Sequence, residues 1–233
     1  MKQRWAGPAG EPGDRSGWDG PALARTAARV LPSPRATPLA SSMVLMLVLV
    51  ALLLNTHPGE ADAVVAWAST NVSNLGQHPV AVLLASTFVV PGNLLPELAI
   101  VAVSFAVLER ASGPWRTAAI ALAGQVIASL LTEYGADLGA HWRLLADSSS
   151  ERSDVGVSYV MYAVLAASVL TLAGRAKRVA LCGLSLIVLV QFGLEPGMTT
   201  TGHLLSVAVG AITMALIGRH QPSSCSRPSL MPK

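Results

Sequence analysis

The sequence predicts an all-α, polytopic membrane protein, a bundle of six transmembrane helices. Charged residues make up 12% of its 233 residues, about half the usual share in soluble domains. Long stretches carry no Lys, Arg, Asp or Glu, and short stretches between them hold nearly all the charge. The apolar stretches are apolar on every side, whereas a helix at the surface of a soluble core alternates. In lipid the backbone must satisfy its own hydrogen bonds, which leaves helices or closed barrels, and these runs have helical length.

Residues 1–37 are rich in Gly, Pro, Ala and Arg and lack a hydrophobic period, so they read as a disordered tail. Six apolar segments follow, at about 38–55, 91–109, 116–134, 156–174, 178–194 and 201–218. Together they make a membrane domain over 38–218, and 219–233 form a second tail. The stretch between the first two segments is too long for a hairpin and partly apolar. It is expected to fold on the outer membrane surface, half embedded.

Orientation follows from the basic residues. The two tails and the loops at 110–116 and 175–178 hold fourteen of the sixteen Lys and Arg; the alternate loops hold only Arg143 and Arg152. Six spans with both termini cytoplasmic fit this split. The Arg-rich, Ala-rich composition points to a GC-rich bacterial genome, and so to a bacterial plasma membrane. The basic pI of about 9.2 does not indicate nucleic acid, because no Lys/Arg stripe is interleaved with aromatics. Two cysteines give neither a disulfide framework nor metal spacing, and the outer-loop histidines have no ligand spacing, so no metal or cofactor is implied. Trp115 and Tyr134 read as interfacial aromatics, and Glu109, Arg110 and Arg116 as a charged cytoplasmic loop.

In this topology segments two, four and six run the same way, so their polar starts share the outer leaflet. Segment four opens "GVSYVMY", with Gly156 and Ser158. Segment six opens "TTTGHLLSVAVGA", with Gly202 beside His203. Segment two opens "PGNLLPELAI", with Asn93 and Glu97 one helical turn apart on one face. Polar groups inside a membrane are rare and face the bundle interior. A serine within reach of a histidine is the minimal activated nucleophile. Gly202, Ser206 and Gly210 form a ridge of small residues that admits a neighbouring backbone, with Gly156, Ala163 and Ala167 as the surface offered on segment four. The bland readings are a helix cap for Ser158 and Asn93 and a solvated flank for His203.

These residues resemble the rhomboid family. "ASTFVVPGNLLPELAIVAVSFAVLERASGPWR" is similar to its second-helix region, ending in a Glu-Arg then Gly turn at Glu109, Arg110 and Gly113. "GVSY" stands where rhomboids have Gly-x-Ser-Gly on the fourth helix, and "GHLLSVAVG" resembles the sixth-helix catalytic histidine with its small residues. The resemblance covers about 38–218. It implies a rhomboid-like six-helix bundle and an intramembrane serine protease that cleaves single-span membrane proteins. Ser158 would be the nucleophile and His203 the base, with Gly156, Asn93 and Glu97 as oxyanion or supporting positions. The sequence departs from the pattern where Tyr159 replaces the glycine after the serine. Glu97, which donates a hydrogen bond only when protonated, stands at a donor position. Trp67 lacks the Arg that follows it in many rhomboids. The alternative is a catalytically inactive rhomboid-like protein that binds transmembrane helices as a scaffold or chaperone. A small transporter is a third reading, disfavoured because no pair of spans shows broken helices at repeated positions.

Overall fold

The computed structural model describes residues 30–142 and 154–219. Among them the chain is helical and without strands: α1 (Pro38–Thr56), α2 (Pro58–Ala68), α3 (Val72–Gln77), α4 (Pro79–Ser86), α5 (Leu94–Ser112), α6 (Pro114–His141), α7 (Ser158–Thr171), α8 (Gly174–Leu194) and α9 (Met198–Arg219). Helices over Pro38–Thr56, Pro114–Gly139, Gly174–Leu194 and Met198–Gly218 are long and apolar enough to cross a membrane. α7 is apolar but shorter. α5 carries Glu97, Glu109 and Arg110 within its length. The bundle is inside-out by soluble standards: Leu45, Leu49 and Leu52 on α1, and Val179, Leu186 and Leu189 on α8, lie exposed. Lipid is the solvent that suits those faces.

Helix boundaries follow local chemistry. Pro38, Pro58 and Pro79 occupy first-turn positions, where the missing N–H costs nothing. α5 ends at Gly113, whose φ of +86° only glycine adopts readily, and Pro114 starts α6 at once. The long connection after α1 is three short helices, α2 to α4. Segment four starts two residues later than its apolar run suggests. Gly156 has φ +142° and lies outside the helix, which begins at Ser158. Most of the N-terminal tail, and residues 220–233 of the C-terminal one, lie outside the described residues. Residues 33–37, read as disordered, instead form a turn in which Thr37 Oγ1 accepts from the Ser33 N–H at 2.7 Å.

α7 is the centre of the bundle. Ten of its residues, among them Tyr159, Tyr162, Ala163 and Ala167, are buried, and α5, α6 and α9 pack around it. The approach is closest at Ala163. A Cβ added to Gly210 would collide with the Ala163 backbone, one at Gly124 with the Ala163 side chain, and one at Gly202 with the Tyr159 ring. Small residues therefore set the distance of both α6 and α9 from α7, as lipid-embedded packing favours.

Glu109 corrects the sequence reading. It is no loop residue but a helical one, 3% exposed. Its two carboxylate oxygens accept from Leu39 N–H at 3.0 Å and Ala40 N–H at 2.8 Å. Those are first-turn amides of α1 with no partner inside their own helix. Thr37, at the N-cap position, is turned back toward Ser33 instead, so a residue from another helix does the capping. Arg110 reaches the same segment, donating from Nη2 to the Leu31 carbonyl at 2.7 Å.

Two outcomes test this packing. Gly210→Ala should destabilise the bundle by about 1–3 kcal/mol, the usual cost of overpacking, while Gly218→Ala on the same helix, with nothing within 4 Å, should be neutral. Glu109→Ala strands two amides and should cost about 3 kcal/mol, and Glu109→Gln, which keeps one acceptor oxygen, about half of that. Thermal unfolding in detergent measures all four variants; equal melting points for Gly210→Ala and Gly218→Ala would contradict the packing account.

Candidate functional site

Ser158 is the first residue of α7, and the turn before it is built to present it. Gly156 holds a backbone conformation that other residues adopt only with strain, and its N–H donates to the Ser86 carbonyl at 3.0 Å. Just upstream, Asp154 fastens this segment to the α2–α3 connection. Its N–H donates to Ser69 Oγ at 2.8 Å, and its carbonyl accepts from the Thr70 N–H at 2.9 Å and from Thr70 Oγ1 at 3.0 Å. The first helical bond of α7 runs from Met161 N–H to the Val157 carbonyl, leaving the amides of Ser158, Tyr159 and Val160 without an acceptor inside the helix.

The histidine comes from α9, one helical turn in from its start. Its ring lies against that of Tyr162, centroids 4.4 Å apart and planes 33° apart. The Tyr159 ring meets the same imidazole edge-on at 6.1 Å. Tyr162 is held in turn by a hydrogen bond from its hydroxyl to Gln191 Oε1 on α8, 2.8 Å long. Among the described residues neither His203 Nδ1 nor Nε2 has a hydrogen-bond partner. The imidazole is therefore fixed by aromatic contact on α7 while both nitrogens are uncommitted.

The predicted site residues separate into two groups. His203 and Glu97 gather around Tyr162, which is not itself a predicted site residue, on three helices. The Glu97 carboxyl lies within electrostatic reach of the Tyr162 phenol, and its buried Oε2 has no hydrogen-bond partner among the described residues. Asn93 is exposed and caps α5, accepting from Leu95 N–H at 3.1 Å, which is the bland reading of it. Ser158 lines a small polar cavity with Thr70, Ser86, Gln125, Asp154 and Tyr159. Its volume of about 10 Å³ is room for one water at most. His203 lines a different cavity of about 520 Å³. No hydrogen bond joins Ser158 to His203 in this conformation.

Tyr159 explains the separation. Its hydroxyl donates to Asp154 Oδ2 at 3.2 Å, and its ring fills the space over Gly202, the neighbour of His203. The bulky ring noted in the sequence is thus buried between the two halves of the site. Asp154 also lies within electrostatic reach of His203. Sequence reasoning did not single out Tyr162, although its spacing of four from Ser158 puts it on the same helix face. Nor did it single out Gln125 and Gln191, whose partners lie 39 and 29 residues away in sequence.

The described residues contain no cluster of three or more His, Cys, Asp or Glu suited to a metal ion. What the arrangement offers is a hydroxyl at a helix start, first-turn amides without an acceptor inside their own helix and, among the described residues, an uncommitted imidazole on the adjoining helix. Those are the parts of acyl-transfer chemistry. No curated protein and no solved structure matches the chain. Residues 35–222, which span every helix from α1 to α9, match the sequence model of a family described as rhomboid-like protein. On that match, and with its all-helical, lipid-suited bundle, the chain belongs to the rhomboid-like protein family.

Proposed function

We propose that the protein is an intramembrane serine protease with Ser158 as nucleophile and His203 as general base. The observation that carries this reading is the seating of His203 on Tyr162, one turn along α7 from Ser158, with both ring nitrogens uncommitted. In the proposed reaction His203 takes the Ser158 hydroxyl proton as the oxygen bonds to a substrate peptide carbon. The first-turn amides of α7 receive the negative charge on the carbonyl oxygen. The peptide C–N bond breaks as His203 returns the proton to the leaving amine, and water then hydrolyses the acyl-enzyme by the same relay. Single-span membrane proteins whose helices unwind near the outer surface are the proposed substrates, since a peptide bond locked in a helix is shielded from attack.

The proposal includes six spans, a bacterial plasma membrane and cytoplasmic termini, supported by the fourteen-to-two division of Lys and Arg. Under it, the starts of α5, α7 and α9 share the outer leaflet. The second reading, a rhomboid-like protein that binds transmembrane helices without cleaving them, is favoured by Tyr159. Its ring over Gly202 and the separate cavities of Ser158 and His203 describe a site that is not joined.

Two measurements decide between these readings and test the topology. A fluorophosphonate probe should label the purified protein at Ser158, and Ser158→Ala should abolish labelling. His203→Ala should lower it by at least a hundred-fold, and the double variant should lose no more than Ser158→Ala alone, because the pair acts as a unit. Labelling that is absent in the wild type while a transmembrane peptide still binds would establish the non-proteolytic reading. Separately, a reporter fused at Ser149 should read as external and reporters at both termini as cytoplasmic; a cytoplasmic Ser149 would invert the bundle and remove the shared outer leaflet.

A further inference from the structure

The cavity on His203 is walled by the end of α8, the turn that follows it and the start of α9: Gln191, Leu194, Glu195, Gly197, Thr199 and Thr200 are among its lining. The turn is braced from within. Thr200 Oγ1 donates to the Glu195 carbonyl at 2.9 Å and accepts from the Gly197 N–H at 3.0 Å, and Thr201 Oγ1 donates to the Gly197 carbonyl at 2.8 Å. Gln191 Oε1 is taken by Tyr162. The hydroxyl and amide groups of this wall are thus largely occupied in holding its shape.

Glu195 is different. Among the described residues it is the one acidic residue lining the cavity, and none of those lining it is Lys or Arg. It is exposed and stands immediately after the last residue of α8. The carboxyl end of α8 brings about half a negative charge to this wall, and the amino end of α9 about half a positive one. The two helix ends offset each other to first order. The net field of the described wall is then that of the Glu195 carboxylate, facing a space large enough for a long side chain.

We propose that this cavity is a side-chain subsite for the bound transmembrane segment, and that Glu195 makes it selective for a segment bearing Lys or Arg beside the stretch presented to His203. The identification of the cavity as a subsite rests on the proposed function; the preference for a cation rests on the cavity itself. Substrates of this kind carry their basic residue near the outer end of the span. A carboxylate in that place on the substrate is disfavoured by repulsion.

The test reads binding rather than cleavage. The full-length protein in detergent micelles, with a photoreactive phenylalanine at Leu194, is cross-linked to single-span Leu/Ala peptides carrying Lys, Ala or Glu near the outer end. Glu195 is exposed, so its variants keep the fold. Cross-linking should rank Lys above Ala above Glu, with about a three-fold step for a solvent-accessible pair. Glu195→Gln should level the ranking and Glu195→Lys should reverse it. Equal yields for the three peptides, a ranking unchanged in Glu195→Lys, or no cross-linking of any peptide would overturn the proposal. A charge-dependent ranking in a protein that no fluorophosphonate labels would sustain the subsite and defeat the protease reading; labelling at Ser158 with charge-blind cross-linking would do the opposite.

Discussion

The structure depends on how closely α6 and α9 approach α7 at Ala163. In lipid, apolar contact between helices gains little over contact with acyl chains, so association relies on close van der Waals packing. Gly124 and Gly210 meet Ala163 from two sides where any Cβ would collide. That approach buries α7, and burial of α7 brings Tyr159 and Tyr162 against the first turn of α9. His203 is therefore placed by backbone packing several residues deeper in the bundle. A site assembled this way has little slack, because moving α9 outward to admit a side chain at Gly210 also lifts His203 off Tyr162.

At the mouth of the bundle, polar bonds take over from packing. Asp154 ties the segment before Ser158 to Ser69 and Thr70, and Gly156 ties it to Ser86, whose hydroxyl accepts from Gln125 Nε2 on α6 at 2.9 Å. The short helices α2 to α4 thus act on the site through the backbone of residues 154–156. At the opposite end of α5, Glu109 holds the start of α1 and Arg110 the segment before it. Both arrangements satisfy polar groups that water would otherwise solvate, and burial makes each one costly to lose.

Much of this was legible in the sequence. Long uncharged runs gave the helices, and Asn93 and Gly113 gave the two ends of α5, because caps and turns act locally. The small-residue ridge on α9 was legible for the same reason, since spacing of four defines one helix face. Gly124 was not, because a lone glycine in an apolar run carries no sign of which neighbour it meets. Glu109 looked like a loop residue because a charge after an apolar run ordinarily is one. Its partners lie about 70 residues away in sequence, and no local pattern encodes them. Tyr162 carried a signal, its spacing from Ser158, yet an aromatic at helical spacing is usually core packing.

Tyr159 shows how a single departure reorganises a site. A glycine after the serine would leave the groove over Gly202 unfilled. The phenol fills that groove, and its hydroxyl is drawn to Asp154, the residue that anchors the turn before Ser158. One side chain thereby connects the α2–α3 link, the helix start bearing the serine and the helix bearing the histidine. The contact that divides the two halves of the site is also one that stabilises its mouth. The ring and the turn are therefore coupled: a ligand that displaces Tyr159 from Gly202 must also release Asp154, and one that pulls on residues 154–156 loosens the ring. The Ser158 side and His203 are thus separated by that pair.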